Sequence, residues 1–106
     1  MFRMTVTLIA TARPKPGRLQ EYIDIFTGVL PQIHEEKGCE LYSLHSDGEK
    51  VVVVERWASQ DDLIEHANGP SIGTLNEFND DILSEPLEVQ VLTNIPVGDP
   101  RKATIQ

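Results

Sequence analysis

The sequence has a single cysteine, few cations and no long apolar run, and each shortage closes a class of function. Cys39 has no partner for an internal disulfide, in keeping with a reducing compartment. Nine Lys and Arg stand against seventeen Asp and Glu, a net charge of −8. That balance is wrong for nucleic acid, where clustered cations must release counterions, and wrong for anionic membrane surfaces. No apolar stretch is long enough to span a bilayer. The opening "MFRMTVTLIATARPKPG" alternates like a strand and lacks the apolar centre of a secretion signal, so cytoplasm is the expected location. His34, His45 and His66 are scattered, with no C-x-x-C or H-E-x-x-H, and no metal site is expected. Neither a glycine-rich phosphate loop nor a G-x-S-x-G elbow occurs.

What is there is an ordinary globular composition, 40% hydrophobic and 25% charged, in 106 residues. That length suits one domain. Residues 1–96 read as the domain and 97–106 as a polar, loosely held tail. "MTVTLIATA" (4–12) alternates as a strand. Between Gly17 and Glu36, Leu19, Tyr22, Ile23, Phe26, Leu30 and Ile33 recur at helical spacing, with Gly28 and Pro31 expected to bend or loosen the helix. Gly38 reads as its left-handed cap.

"CELYSLH" and "KVVVVERW" flank an Asp47-Gly48 hairpin turn. Ser59 offers an N-cap to a short helix ending near His66. Pro70 suits the first turn of a third helix, whose stripe reads as Ile72, Leu75, Phe78 and Ile82. "PLEVQVLTNI" (86–95) alternates as a last strand. The order is the βαββαβ pattern of a ferredoxin-like α+β sandwich, an antiparallel sheet with helices on one face. Val51–Val54 puts apolar groups on both faces of its strand. The outer face therefore needs a cover, and a second copy of the sheet is the expected one: a homodimer through the sheet face.

Three side chains invite a chemical reading. His66 falls three residues after Leu63 and shares its inward face. The plain reading is a core-edge histidine bonded to a carbonyl or water. The functional reading is a general base, since an imidazole moves protons near neutrality. Trp57 is a core filler or an aromatic pocket wall. Glu55, two residues earlier on the same strand face, must reach solvent or a partner such as the neighbours of Arg56 or Arg3, and structural pairing is the expectation. Cys39 reads as an inert small hydrophobe, His34 and His45 as surface residues, and "NEFNDDILSE" as a solvated helix face.

Taken together, Glu36, Gly38, Cys39, Tyr42, Glu55, Trp57 and His66, in "EEKGCELYSLH" and "VVVERWASQDDLIEHANGPS", resemble the pattern of the antibiotic biosynthesis monooxygenase family of dimeric α+β barrels. The resemblance runs over about residues 4 to 95. It implies oxidation of a small aromatic, quinol- or polyketide-like, by dioxygen, with no metal, flavin or other prosthetic group. It also implies an apolar pocket between sheet and helices, with His66 as base and Trp57, Thr7, Phe26 and Phe78 as candidate substrate contacts. Many members carry a second histidine where this chain has Ser71 or Ile72. Haem-degrading relatives carry an asparagine on the first strand, where the inward candidates here are Thr5, Thr7 and Ile9, so haem degradation is not expected. The alternatives are an isomerase or tautomerase using the same base, and a small-molecule-binding dimer without turnover.

Overall fold

A computed structural model describes residues 4–105. The elements run β1 (Val6–Ala12), α1 (Leu19–His34), β2 (Cys39–Ser46), β3 (Val51–Trp57), α2 (Gln60–Ala67), α3 (Pro70–Ile82) and β4 (Glu88–Thr93). The four strands form one sheet in the order β2-β3-β1-β4, with every neighbouring pair antiparallel. This is the α+β ferredoxin-like arrangement. Among the described residues no helix is long and apolar enough to cross a membrane.

Local chemistry fixes most of the boundaries. Gly48, at φ 96°, turns the hairpin while the Asp47 carboxylate accepts the backbone N–H groups of Glu49 and Lys50. Ser59 stands in extended backbone and accepts the Asp62 N–H at 3.1 Å, which starts α2. Pro70 occupies the first turn of α3, where its missing N–H costs nothing. The α1 helix, expected to bend or loosen at Gly28 and Pro31, runs unbroken through both to His34. Its buried residues Tyr22, Phe26, Val29 and Ile33 hold the last turns on the sheet, a case of packing outweighing propensity.

β3 alternates strictly. Val51, Val53, Glu55 and Trp57 are buried beneath the helices, and Val52, Val54 and Arg56 are half-buried on the outer face. The chain covers part of that outer face itself, since Arg56 donates to the carbonyl of Ile105 and to Glu40. β4 is different: every residue is exposed. The helices cover β1, β2 and β3, and Val89 and Val91 remain 49% and 58% exposed. On α3 the inward residues are Ser71, Leu75 and Ile82. Leu75 and Ile82 lie almost in line along the helix, whereas Phe78 is rotated about 60° from Leu75 and about 40° from Ile82 and is 38% exposed.

Candidate active site

Three pieces of local structure converge on one spot. The inward parity of β3 delivers Glu55 and Trp57, 3% and 0% exposed. The capped α2 delivers His66, 5% exposed, from its last turn. The turn after α1 delivers Glu36. That turn depends on Gly38, at φ 81°, where a Cβ would collide with the Asp62 side chain. The Gly38 carbonyl also accepts the Ala58 N–H at 2.8 Å, tying the turn to the end of β3.

His66 is held from both edges. Its Nδ1 is 2.7 Å from Glu36 Oε1, and its Nε2 is 3.9 Å from Glu55 Oε1. Trp57 lies against the ring at 4.5 Å between centroids, and Tyr42 meets it edge-on at 5.5 Å. The indole Nε1 donates to Glu55 Oε1 at 2.9 Å. A carboxylate at Nδ1 draws the ring proton to that nitrogen and leaves the Nε2 lone pair free. The arrangement can therefore accept a proton at a fixed atom.

His66 borders an apolar cavity of about 160 Å³ between sheet and helices. Leu8, Ala10 and Val53 form its floor, Tyr22 and Phe26 of α1 one wall, and Leu63, Ile72 and Leu75 another. Glu55, His66 and Tyr42 bring polar atoms to it, and Asn76, Leu87 and Val89 line it on the exposed side. A second cavity, of about 140 Å³, lies on the other side of His66 and is lined by Glu36, Lys37, Asp62 and Glu65.

The sequence-derived candidates divide on this geometry. His66 and Phe26 line the apolar cavity. Trp57 does not: it is fully enclosed behind His66, as support for the ring rather than as a wall. Thr7 pairs with Arg56 and shares its outward parity, opposite to Leu8, so it lies on the far face of the sheet. Phe78 lies outside the cavity because α3 turns Leu75 inward instead. Ser71, near the place of the second histidine in many relatives, is buried, and its hydroxyl has no hydrogen-bond partner among the described residues.

Glu55 is the residue that the sequence reading undervalued. Its partners are Trp57 and the His66 edge; the Arg3 alternative lies outside the described residues. The signal was a carboxylate at an inward β3 position between Val53 and Trp57. Burial pushes its carboxyl up from 4.5 to about 7, and nearby Glu36 adds to the rise, while the Trp57 hydrogen bond opposes it. Burial likewise holds the Tyr22 hydroxyl up at about 12 and raises that of Tyr42, with Glu55 adding to the latter. The Cys39 thiol is also raised, by burial and then by Glu36 and Glu55, which disfavours the nucleophilic thiolate. Among the described residues no group of three or more His, Cys, Asp or Glu is placed to hold a metal ion.

The model of the antibiotic biosynthesis monooxygenase family matches residues 5–77. The chain belongs to that family. The match runs from β1 into α3 and so takes in Glu36, Glu55, Trp57 and His66. A search of curated protein sequences returns no match. Solved structures agree with the fold. Rv0793 from Mycobacterium tuberculosis is 27% identical, with a TM-score of 0.78 over 90% of this chain and 97% of that one. PA3566 from Pseudomonas aeruginosa is 22% identical, with a TM-score of 0.80 over 90% and 98%. A structure described as an antibiotic biosynthesis monooxygenase is 18% identical, with a TM-score of 0.79 over 86% and 99%. The family includes monooxygenases, so membership suggests an enzyme of that kind.

Proposed function

We propose that this protein is a cofactor-independent monooxygenase that oxidises a small aromatic, quinol-like substrate with dioxygen, with His66 as the base. The observation that carries the reading is the setting of His66: Nδ1 bonded to Glu36, and the ring bordering an apolar cavity. A base so placed turns a phenol or enol into an anion electron-rich enough to react with oxygen. The apolar lining keeps water from that anion. The cavity, at about 160 Å³, is close to the ~150 Å³ apolar void that takes up benzene, so one ring is the natural cargo. Phe26 supplies an aromatic wall, and Trp57 acts by backing His66.

A homodimer belongs to the same reading, in the cytoplasm, with residues 1–96 as the domain and 97–106 as the tail. Its support is β4, whose Val89, Val91 and Leu92 are exposed on both faces of a strand that this chain's helices leave open. Leu87 and Val89 also line the cavity, so a copy packed there would close it.

An isomerase reading draws on the nearness of His66 and Glu55, since such a pair can shift a proton without oxygen. Oxygen uptake with a panel of quinols separates the two. The wild type is expected to consume oxygen above the autoxidation background, and His66→Ala to lose a factor of about 10²–10⁴. Substrate turnover that proceeds equally without oxygen would assign the site to isomerisation.

A further inference from the structure

Within the oxygenation reading, we infer that Glu55 is a second catalytic residue, the general acid that gives a proton to the departing oxygen. The assignment rests first on position. Glu55 is 3% exposed, lines the same cavity as His66, and lies 3.9 Å from its Nε2. The Trp57 N–H fixes Oε1 at 2.9 Å, which holds the carboxyl in place. A carboxyl raised to about 7 holds its proton up to about neutrality, close to the base. The ionisable groups facing it are Tyr22 from α1, Glu36 from the following turn, Cys39 and Tyr42 from β2, and His66 from α2. β1, α3 and β4 line the cavity with Leu8, Ala10, Ile72, Leu75, Asn76 and Val89, and so add no ionisable group. Among the described residues no lysine or arginine lines the cavity to pull the proton away.

The chemistry balances with dioxygen as the only co-reactant. Addition of dioxygen to the substrate anion, with its proton returned from His66, leaves a carbon bearing hydrogen and a hydroperoxide. His66 Nε2 then takes the proton from that carbon, and the C–H electron pair becomes the second bond of a carbonyl. The O–O bond breaks, and the distal oxygen leaves as water with the proton from Glu55. The carbon has lost two electrons and the peroxide has gained two; one oxygen atom stays in the product and the other is in water. The imidazolium returns its proton to Glu55 once the 3.9 Å between them closes to hydrogen-bond reach. Glu55→Gln keeps the shape of the protonated acid and a carbonyl for the Trp57 N–H, but has no proton to give.

Two experiments test the assignment. In the first, 1,4-hydroquinone is the substrate, and oxygen, peroxide and product are measured for wild type, His66→Ala and Glu55→Gln. The wild type is expected to slow as pH rises through about 7, as Glu55 loses its proton. Glu55→Gln is expected to form product at least tenfold more slowly, to release hydrogen peroxide, and to lose that decline with pH. Product formed by Glu55→Gln at the wild-type rate, with the wild-type pH profile, would overturn the inference and leave His66 untouched. The second experiment needs no turnover, so it decides the matter even if no variant consumes oxygen. Infrared difference spectra at pH 6 should show a protonated carboxyl band in the wild type that is missing from Glu55→Gln and shifts when phenol binds. A wild type without such a band, or with one indifferent to phenol, would equally overturn it.

Discussion

At the scale of the residue, Glu55 is costly to the fold as well as suited to chemistry. Its carboxyl is raised from 4.5 to about 7, mainly by burial. Between those values the folded chain keeps a proton that the unfolded chain has released. Stability therefore falls as pH rises through this window, and the loss is complete above about 7. The shift corresponds to about 3 kcal/mol. Glu55→Gln removes the effect, so urea denaturation at pH 5 and pH 8.5 should show the variant gaining stability over wild type at the higher pH. Equal differences at the two values would mean that Glu55 ionises freely. His66 and Trp57 could be singled out from residue type and parity, because β3 alternates. The carboxylate that holds His66 could not be, since Glu36 lies thirty residues from it and only the packing of α2 on the turn after α1 unites them.

At the scale of the element, the site hangs on the turn after α1 and on the start of α2. Gly38 sits at φ 81° with Asp62 where a side chain would go. Gly38→Ala should therefore cost more than 1 kcal/mol and displace Glu36 from His66. A thermal melt and the oxygen rate would fall together. An unchanged melt would show that Asp62 gives way freely. Such boundaries were readable: Asp47-Gly48, Ser59 and Pro70 act through local geometry that a sequence carries in full. The direction of α3 was not readable. A stripe of Ile72, Leu75, Phe78 and Ile82 is compatible with several rotations of the helix, and the sheet selects the one that buries Leu75 and Ile82.

At the scale of the whole molecule, the chain is longer than its residue number requires. Its radius of gyration is 14.3 Å, against roughly 13 Å for a compact chain of this size. β4, exposed along its whole length, has no layer of its own above it. The valine run pointed to an uncovered face, and the chain's own tail reaches part of that face through Ile105. The uncovered apolar surface lies instead along β4. Val91, 58% exposed, belongs at the centre of the proposed dimer, and Val91→Lys should shift the protein from dimer to monomer in sedimentation equilibrium at micromolar concentration. A wild type that is already monomeric would remove the dimer from the account.

In the proposed reaction His66 makes an anion inside an apolar cavity, and a bound chromophore reports that step. Titration with 4-nitrophenol, below that phenol's own pKa, should give the absorbance of the phenolate with wild-type protein. His66→Ala should bind the same phenol in its neutral form. A wild-type complex that holds the neutral phenol, or an anion that persists without His66, would contradict the account.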